Sequence, residues 1–134
     1  SDILQRVNRA ADEMFGQWEA ARTEPVEEKN HMVELAMEYM EEHYYENMML
    51  VDVAQRAGIS PGYLSTLFQK QLSKGFVDCL NEIRIEHACT YLQQNYLKTY
   101  EIAYKVGFKD EKYFSKVFKK IKGQSPSEYR KAYR

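Results

Sequence analysis

Apolar residues return every three or four positions along most of the chain. No stretch alternates for long with the period of two that a half-buried strand requires, so the pattern predicts helices alone. Residues 2–22 place Leu4, Val7, Ala11, Met14, Trp18 and Ala21 on one stripe at alternating spacings of three and four, a short run of heptads. Thr23-Glu24-Pro25 ends it, because proline lacks the amide that the helix ladder needs and disfavours a helical predecessor. From about Glu27 to Tyr45 a second helix sets Met32, Leu35, Ala36, Tyr39, Met40 and His43 on one face and Glu34, Glu38, Glu41 and Glu42 on the other. A short amphipathic helix, Asp52 to Ala57, stops at Gly58, and Ser60-Pro61 opens another that runs to about Leu72. A longer helix from Phe76 to Gln93 carries a stripe of Phe76, Leu80, Ile83, His87 or Ala88, and Tyr91. The pattern restarts at Thr99, and Ser125-Pro126-Ser127 opens a last helix from Glu128 to Tyr133.

Two of these stretches repeat each other. Val53-Ala54, Gly58-Ile59, Tyr63-Leu64-Ser65, Leu67-Phe68 and Lys70 recur as Ile102-Ala103, Gly107-Phe108, Tyr113-Phe114-Ser115, Val117-Phe118 and Lys120. The offset is 49 up to the glycines and 50 from the tyrosines on, so the second turn is one residue longer. Two short helices joined by a tight turn and crossing at about 90–120° need just these residue types. The first helix needs a small side chain at the crossing (Ala54, Ala103), and the turn needs a residue free to take positive φ (Gly58, Gly107). The next residue plugs the core (Ile59, Phe108), and the second helix fills its inner face with Leu64, Leu67 and Phe68, or Phe114, Val117 and Phe118. Two helix-turn-helix units follow, at about 51–72 and 99–121, with a connecting helix at about 76–93.

The outward faces of the copies differ. Opposite the buried positions, the first copy shows Gly62, Thr66 and Gln69, flanked by Ser65 and Lys70. The second shows Lys112, Lys116 and Lys119, flanked by Ser115 and Lys120. Lysine reaches phosphates or guanine O6 and N7, whereas serine, threonine and glutamine hydrogen-bond bases and the threonine methyl suits a thymine methyl.

Charge sharpens this picture. The chain of 134 residues has a net charge of −1, but residues 1–46 hold 4 basic and 12 acidic side chains while residues 105–134 hold 10 and 3. A net of +7 gathered on the second copy and the end of the chain is what a polyanion-binding surface looks like. A lysine stripe is more often just a solvated helix face, but two copies in register, with the basic excess on one, favour nucleic acid. The connecting helix of eighteen residues spans roughly 27 Å at about 1.5 Å per residue. That length is compatible with two heads entering successive major-groove segments about 34 Å apart.

Residues 52–130 resemble the DNA-binding domain of the AraC/XylS family of bacterial transcription regulators. The matching motifs are Ile59-Ser60-Pro61-Gly62-Tyr63-Leu64-Ser65, Leu67-Phe68, Arg84-Ile85-Glu86-His87-Ala88, Glu101-Ile102-Ala103, Val106-Gly107-Phe108, Tyr113-Phe114-Ser115, Phe118-Lys119-Lys120 and Gly123-Gln124-Ser125-Pro126-Ser127-Glu128-Tyr129-Arg130. The resemblance implies an all-α fold of seven helices, with two helix-turn-helix subdomains joined by a long helix and an extra helix in front. It also implies binding to double-stranded promoter DNA, most often as an activator that contacts RNA polymerase. Its base-reading positions fall on Gly62, Ser65 and Thr66, and on Glu111, Lys112, Ser115 and Lys116. With the flanking groups added, the expected DNA-binding set is Ser60, Gly62, Ser65, Thr66, Gln69, Lys70, Lys109, Glu111, Lys112, Ser115, Lys116 and Lys119. The chain departs from the family where Ser73 takes the place of the glycine that Gly123 keeps, with Gly75 two residues on. A differently shaped end of the first recognition helix is therefore expected. Cys79 also replaces the tyrosine that Tyr129 retains.

The remaining features bound the function. No nucleophile, base and orienting group can be assembled from the sequence, and no phosphate-cradling glycine loop is present, so an enzyme is not expected. His31, His43 and His87 lack partners at metal-ligand spacing, so neither a metal nor a cofactor is expected. Cys79 and Cys89 lie ten residues apart on one helix, about 15 Å and too far to bridge each other, which suits a reducing, cytoplasmic setting. No apolar run reaches about 18 residues, so no membrane span is expected in this fragment. Arg84 reads as a structural salt-bridge or capping residue bracing the two subdomains, and Tyr63 and Tyr113 as packing residues within reach of the sugar–phosphate backbone. The start at Ser1 suggests a piece of a longer regulator with a sensor upstream. Residues 1–24 are then a linker or signalling helix ahead of a DNA-binding domain at 27–134. The stripe from Leu4 to Ala21 has two open readings, a dimerising or signal-transmitting helix and a helix packed on its own domain. The competing function is a helical protein–protein interaction module, with the acidic half and the heptad stripe as its binding surface.

Overall fold

The computed structural model describes residues 26–94 and 96–133. Seven helices lie among them: α1 (Val26–His43), α2 (Leu50–Ala57), α3 (Pro61–Leu72), α4 (Phe76–Gln94), α5 (Thr99–Lys105), α6 (Glu111–Lys122) and α7 (Pro126–Lys131). The described residues contain no strand, and the all-α expectation holds. The stripe from Leu4 to Ala21 lies outside the described residues.

The chain divides into two compact units. Among the described residues, the first comprises α1 as far as Tyr39 together with Met49–Phe76. Its buried apolar side chains are Met32, Val33 and Ala36 of α1, Val53 and Ala54 of α2, and Leu64, Leu67 and Phe68 of α3. Helices α2 and α3 pack directly on each other. Val33 was not part of the predicted inner face, while Leu35 and Tyr39, which were, stay half-buried. The glutamates at 34, 38, 41 and 42 are exposed as expected.

The second unit comprises Met40–Met48 and the chain from Val77 onward. Ile85, Ala88, Cys89 and Leu92 of α4 share one core with Ile102, Ala103, Val106, Phe108, Phe114, Val117 and Phe118. Ring contacts run through it from Phe108 to Phe114 (5.3 Å between centroids), on to Phe118 (5.8 Å) and then to Tyr129 (5.5 Å). The single stripe predicted for α4 is corrected. Cys79, Leu80, Asn81, Ile83, Arg84 and Ile85 are all buried, and so many near-consecutive positions occupy more than one helix face. The stripe expectation assumed one buried side. Cys79 and Cys89 are both buried, and neither is joined in a disulfide.

Both helix-turn-helix turns close the same way. The amide of Ile59 donates to the carbonyl of Ala54 (3.1 Å) and that of Gly58 to Gln55 (3.2 Å). In the copy, Phe108 donates to Ala103 (2.9 Å) and Gly107 to Tyr104 (3.1 Å). This paired closure requires a residue of positive φ between the two donor amides, and Gly58 and Gly107 supply it with φ of 75° and 109°. The alanine of the motif thus has a small side chain at the crossing and a carbonyl that ends its helix. The residue after each glycine behaves unequally: Phe108 is buried, whereas Ile59 is only half-buried.

Candidate nucleic-acid interface

The two recognition helices, α3 and α6, are started by side chains at equivalent places. Ser60 Oγ accepts from the amide of Tyr63 (3.2 Å), and Asp110 Oδ1 accepts from that of Tyr113 (2.7 Å). The extra residue of the second turn lies between Gly107 and Asp110, as the change of offset from 49 to 50 requires. The preceding helices are likewise begun in parallel: Asp52 accepts from the amide of Met49 (2.9 Å) and Glu101 from that of Lys98 (2.9 Å). Repetition therefore extends to the capping groups.

Their ends match as well, which corrects an expectation. Ser73 itself takes the left-handed conformation (φ 58°) and its amide donates to Gln69 (3.1 Å), just as Gly123 (φ 78°) donates to Lys119 (2.8 Å). The flexible residue has not moved to Gly75. A serine holds the strained place because the helix-closing hydrogen bond offsets the modest cost of a left-handed side-chain-bearing residue.

On α3 the residues Gly62, Thr66, Gln69 and Lys70 are exposed and Ser65 is half-buried. The Thr66 hydroxyl donates to the carbonyl of Gly62 (3.1 Å), which leaves its oxygen lone pairs and γ-methyl for a partner. Ser60 is exposed, with its hydroxyl oxygen engaged as the cap. On α6 the side chains of Glu111, Lys112, Lys116, Lys119 and Lys120 are exposed, Ser115 is half-buried, and Lys109 is exposed in the turn before it. Lys122 departs from the stripe: it pairs with Glu86 of α4, and that hydrogen bond raises its pKa above the ordinary lysine value. The predicted residues of each copy thus lie along one recognition helix and, for Ser60 and Lys109, in the turn just before it.

Behind α6, Arg84 is buried and donates from Nε to the carbonyl of Tyr44 (2.7 Å) and from Nη2 to that of Glu46 (2.8 Å). Its guanidinium also lies over the Phe108 ring, 5.6 Å from the centroid. Its partners are carbonyls and a ring within the second unit, so of the two expected roles, salt bridge or cap, it takes the second, capping the chain after α1. Burial lowers its proton affinity, and the carbonyl dipoles satisfy its N–H groups instead of a carboxylate. A Cβ on Gly107 would lie 2.7 Å from the Tyr44 oxygen and 2.8 Å from Arg84 Nε, so that glycine is required for space as well as for φ. Tyr113 packs as expected, its ring on Phe108, and its hydroxyl accepts from the buried Asn81 amide (3.1 Å). His87 is paired with Glu41 and stacked on Tyr44, 4.0 Å between centroids.

The sequence reading missed Asp110 as a cap, although its place fifty residues after Ser60 marked it. It also missed Asn81, and nothing local could have marked a buried asparagine whose partner is thirty-two residues away. Among the described residues, no three His, Cys, Asp or Glu side chains stand close enough to hold a metal ion. No described helix is long and apolar enough to cross a membrane.

Comparison with known proteins decides the family. The family profile described as a helix-turn-helix domain matches residues 53–132, more than half of the chain. An uncharacterized HTH-type transcriptional regulator, YijO of Escherichia coli, is 44% identical over 102 residues, covering 76% of this chain and 36% of its own. The C-terminal domain of AraT, a response regulator from Geobacillus stearothermophilus, superimposes with a TM-score of 0.70 at 36% identity over 75% of this chain and 84% of that one. The chain belongs to the AraC/XylS family of transcription regulators. It is a DNA-binding regulator module, and the protein-interaction reading is set aside. The DNA-binding domain of AdpA, solved in complex with a target DNA, shares the AraC-type fold at 25% identity (TM-score 0.70), covering 77% of this chain and 92% of that one. The chain spans about a third of the length of most of the curated relatives it matches, YijO among them.

Proposed function

We propose that this AraC-type domain reads double-stranded promoter DNA with two unequal heads, α3 and α6, in two successive major-groove segments. The observation that carries the proposal is the contrast between two outward faces built on one repeated frame. Lys112, Lys116 and Lys119 are exposed on α6 and supply electrostatic attraction, with Lys109 and Glu111 at its start and Ser115 beside it. Ser65, Thr66 and Gln69 on α3 supply neutral hydrogen-bonding and methyl contacts beside the bare backbone of Gly62, with Ser60 and Lys70 at its ends. The protein acts in the cytoplasm, without catalytic activity of its own, as an activator that touches RNA polymerase. Residues 4–21 are the candidate surface for pairing two copies. Sedimentation of the chain with and without residues 1–24 tests that pairing, and unchanged mass refutes it.

Titration of labelled promoter fragments at several salt concentrations tests the DNA reading. Affinity should fall linearly on a log–log plot, and Lys112→Ala with Lys116→Ala should flatten the slope by about 2. Binding that ignores salt, or survives both substitutions unchanged, overturns it.

A further inference from the structure

Gly62 is a glycine that the fold does not ask for. Of the five described glycines, Gly58, Gly107 and Gly123 take positive φ, and a Cβ at Gly75 would meet the Gln69 amide at 3.4 Å. Gly62 has an ordinary helical φ, and a Cβ there would have no heavy atom within 4 Å. It is exposed, in the first turn of α3, where alanine or another ordinary helix former would favour the helix more. The equivalent residue of the second head is Lys112, so the repeated frame tolerates a long side chain at this place.

A glycine placed against helix propensity, in open space and on the outward face, points to a partner that comes close to the backbone. One turn further along the same face, Thr66 gives its hydroxyl proton to the Gly62 carbonyl at 3.1 Å. That bond ties Thr66 to the glycine's own backbone and leaves a methyl group and acceptor lone pairs for the partner. The face has no charge until Lys70, so phosphate attraction does not explain it. An uncharged ridge with a bare backbone, one methyl and acceptor lone pairs is complementary to an A·T pair in the major groove, where thymine offers a methyl and adenine N6 a donor.

We propose that Gly62 determines specificity through its missing side chain: it lets the first turn of α3 seat against an A·T pair closely enough for the Thr66 methyl to meet the thymine methyl. The inference rests on the DNA-reading role proposed for α3.

Selection from a randomised duplex library, by the whole chain and by its Gly62→Ala variant, tests it. The unaltered protein should select thymine at one position of the first half-site. Uracil in place of that thymine, which removes only the methyl, should weaken binding several-fold. Gly62→Ala should keep or raise the melting temperature, yet lose about tenfold in affinity for the selected duplex, the size of one mismatched base pair. It should change preference in the first half-site alone and leave the second half-site and the salt slope as they were. Equal affinity and an unchanged motif in Gly62→Ala overturn the inference while leaving DNA reading intact. A lower melting temperature with weaker binding to every duplex also overturns it, since the glycine would then serve the fold. If the unaltered protein selects no motif, the DNA-reading role and this inference fall together.

Discussion

Gly58 and Gly107 occupy the same place in the repeat, and their surroundings predict different tolerance to change. A side chain at Gly58 meets open space, so Gly58→Ala carries only the strain of a left-handed alanine, about 1–2 kcal/mol. At Gly107 the same substitution also drives a Cβ into the Tyr44 carbonyl and the Arg84 guanidinium. It must displace two charge-assisted hydrogen bonds, so a loss of at least about 3 kcal/mol is expected. Chemical denaturation of both variants measures the difference, and equal losses would contradict the tight seat described for Gly107. Ser73 provides the reverse case. Ser73→Gly should stabilise by up to about 1 kcal/mol, because the left-handed conformation already adopted there no longer strains a side chain. The need for positive φ at Gly58 and Gly107 was legible in their spacing from Ala54 and Ala103. The second reason for Gly107 was not, because Arg84 and Tyr44 reach it from distant places in the chain.

Helix starts depend on side chains whose removal leaves backbone amides orphaned. Asp110→Ala should cost about 1 kcal/mol of stability, and Ser60→Ala a similar amount, measured by thermal unfolding. Helix α7 adds a pH dependence. Ser125 Oγ accepts from the Glu128 amide (3.1 Å) and the Ser125 amide donates to the Glu128 carboxylate (2.8 Å). These bonds to Ser125 hold the Glu128 carboxyl below its ordinary range. A carboxyl whose pKa is lower in the folded state contributes fully above its unfolded value, about 4.3 for glutamate, and the contribution is lost as pH falls through the lower native value. Protection of the α7 amides against exchange, taken at each pH relative to the unstructured chain, should therefore fall with acidification across that window. Glu128→Gln should remove this pH dependence, and an identical acid response in the variant would refute the assignment. Helix positions were legible from apolar spacing and the Ser60 and Ser125 caps from their Ser-Pro pairs, whereas the capping groups Asp52, Glu101 and Asp110 were not picked out. The width of the buried surface on α4 was not, since periodicity registers one buried face well and an enclosed helix poorly.

At the scale of the molecule, charge and neutrality are divided between two units of like construction. Residues 105–134 hold 10 of the 19 basic side chains, and α3 holds only Lys70. Substitutions in the two heads should therefore fail differently. Lysine removal on α6 should lower affinity for all duplexes and flatten the salt slope, while Ser65→Ala with Thr66→Ala should erode discrimination between duplexes at nearly constant slope. Competition titrations with matched and scrambled duplexes separate the two effects, and a slope change from the α3 pair would contradict this division. By itself the sequence determined the repeat, the helical class, the family and the unequal outward faces. Each of these is written in local spacing and in charge, which act over one or two helical turns. Only the tertiary structure decided that Met40–Met48 joins the second unit and that Arg84 grips main-chain carbonyls there. It alone gave Gly107 a second reason to be glycine, while leaving Gly62 with none inside the protein. Those outcomes depend on which surfaces meet after the chain has folded, and contacts between residues forty positions apart leave no periodic trace in the order of the residues.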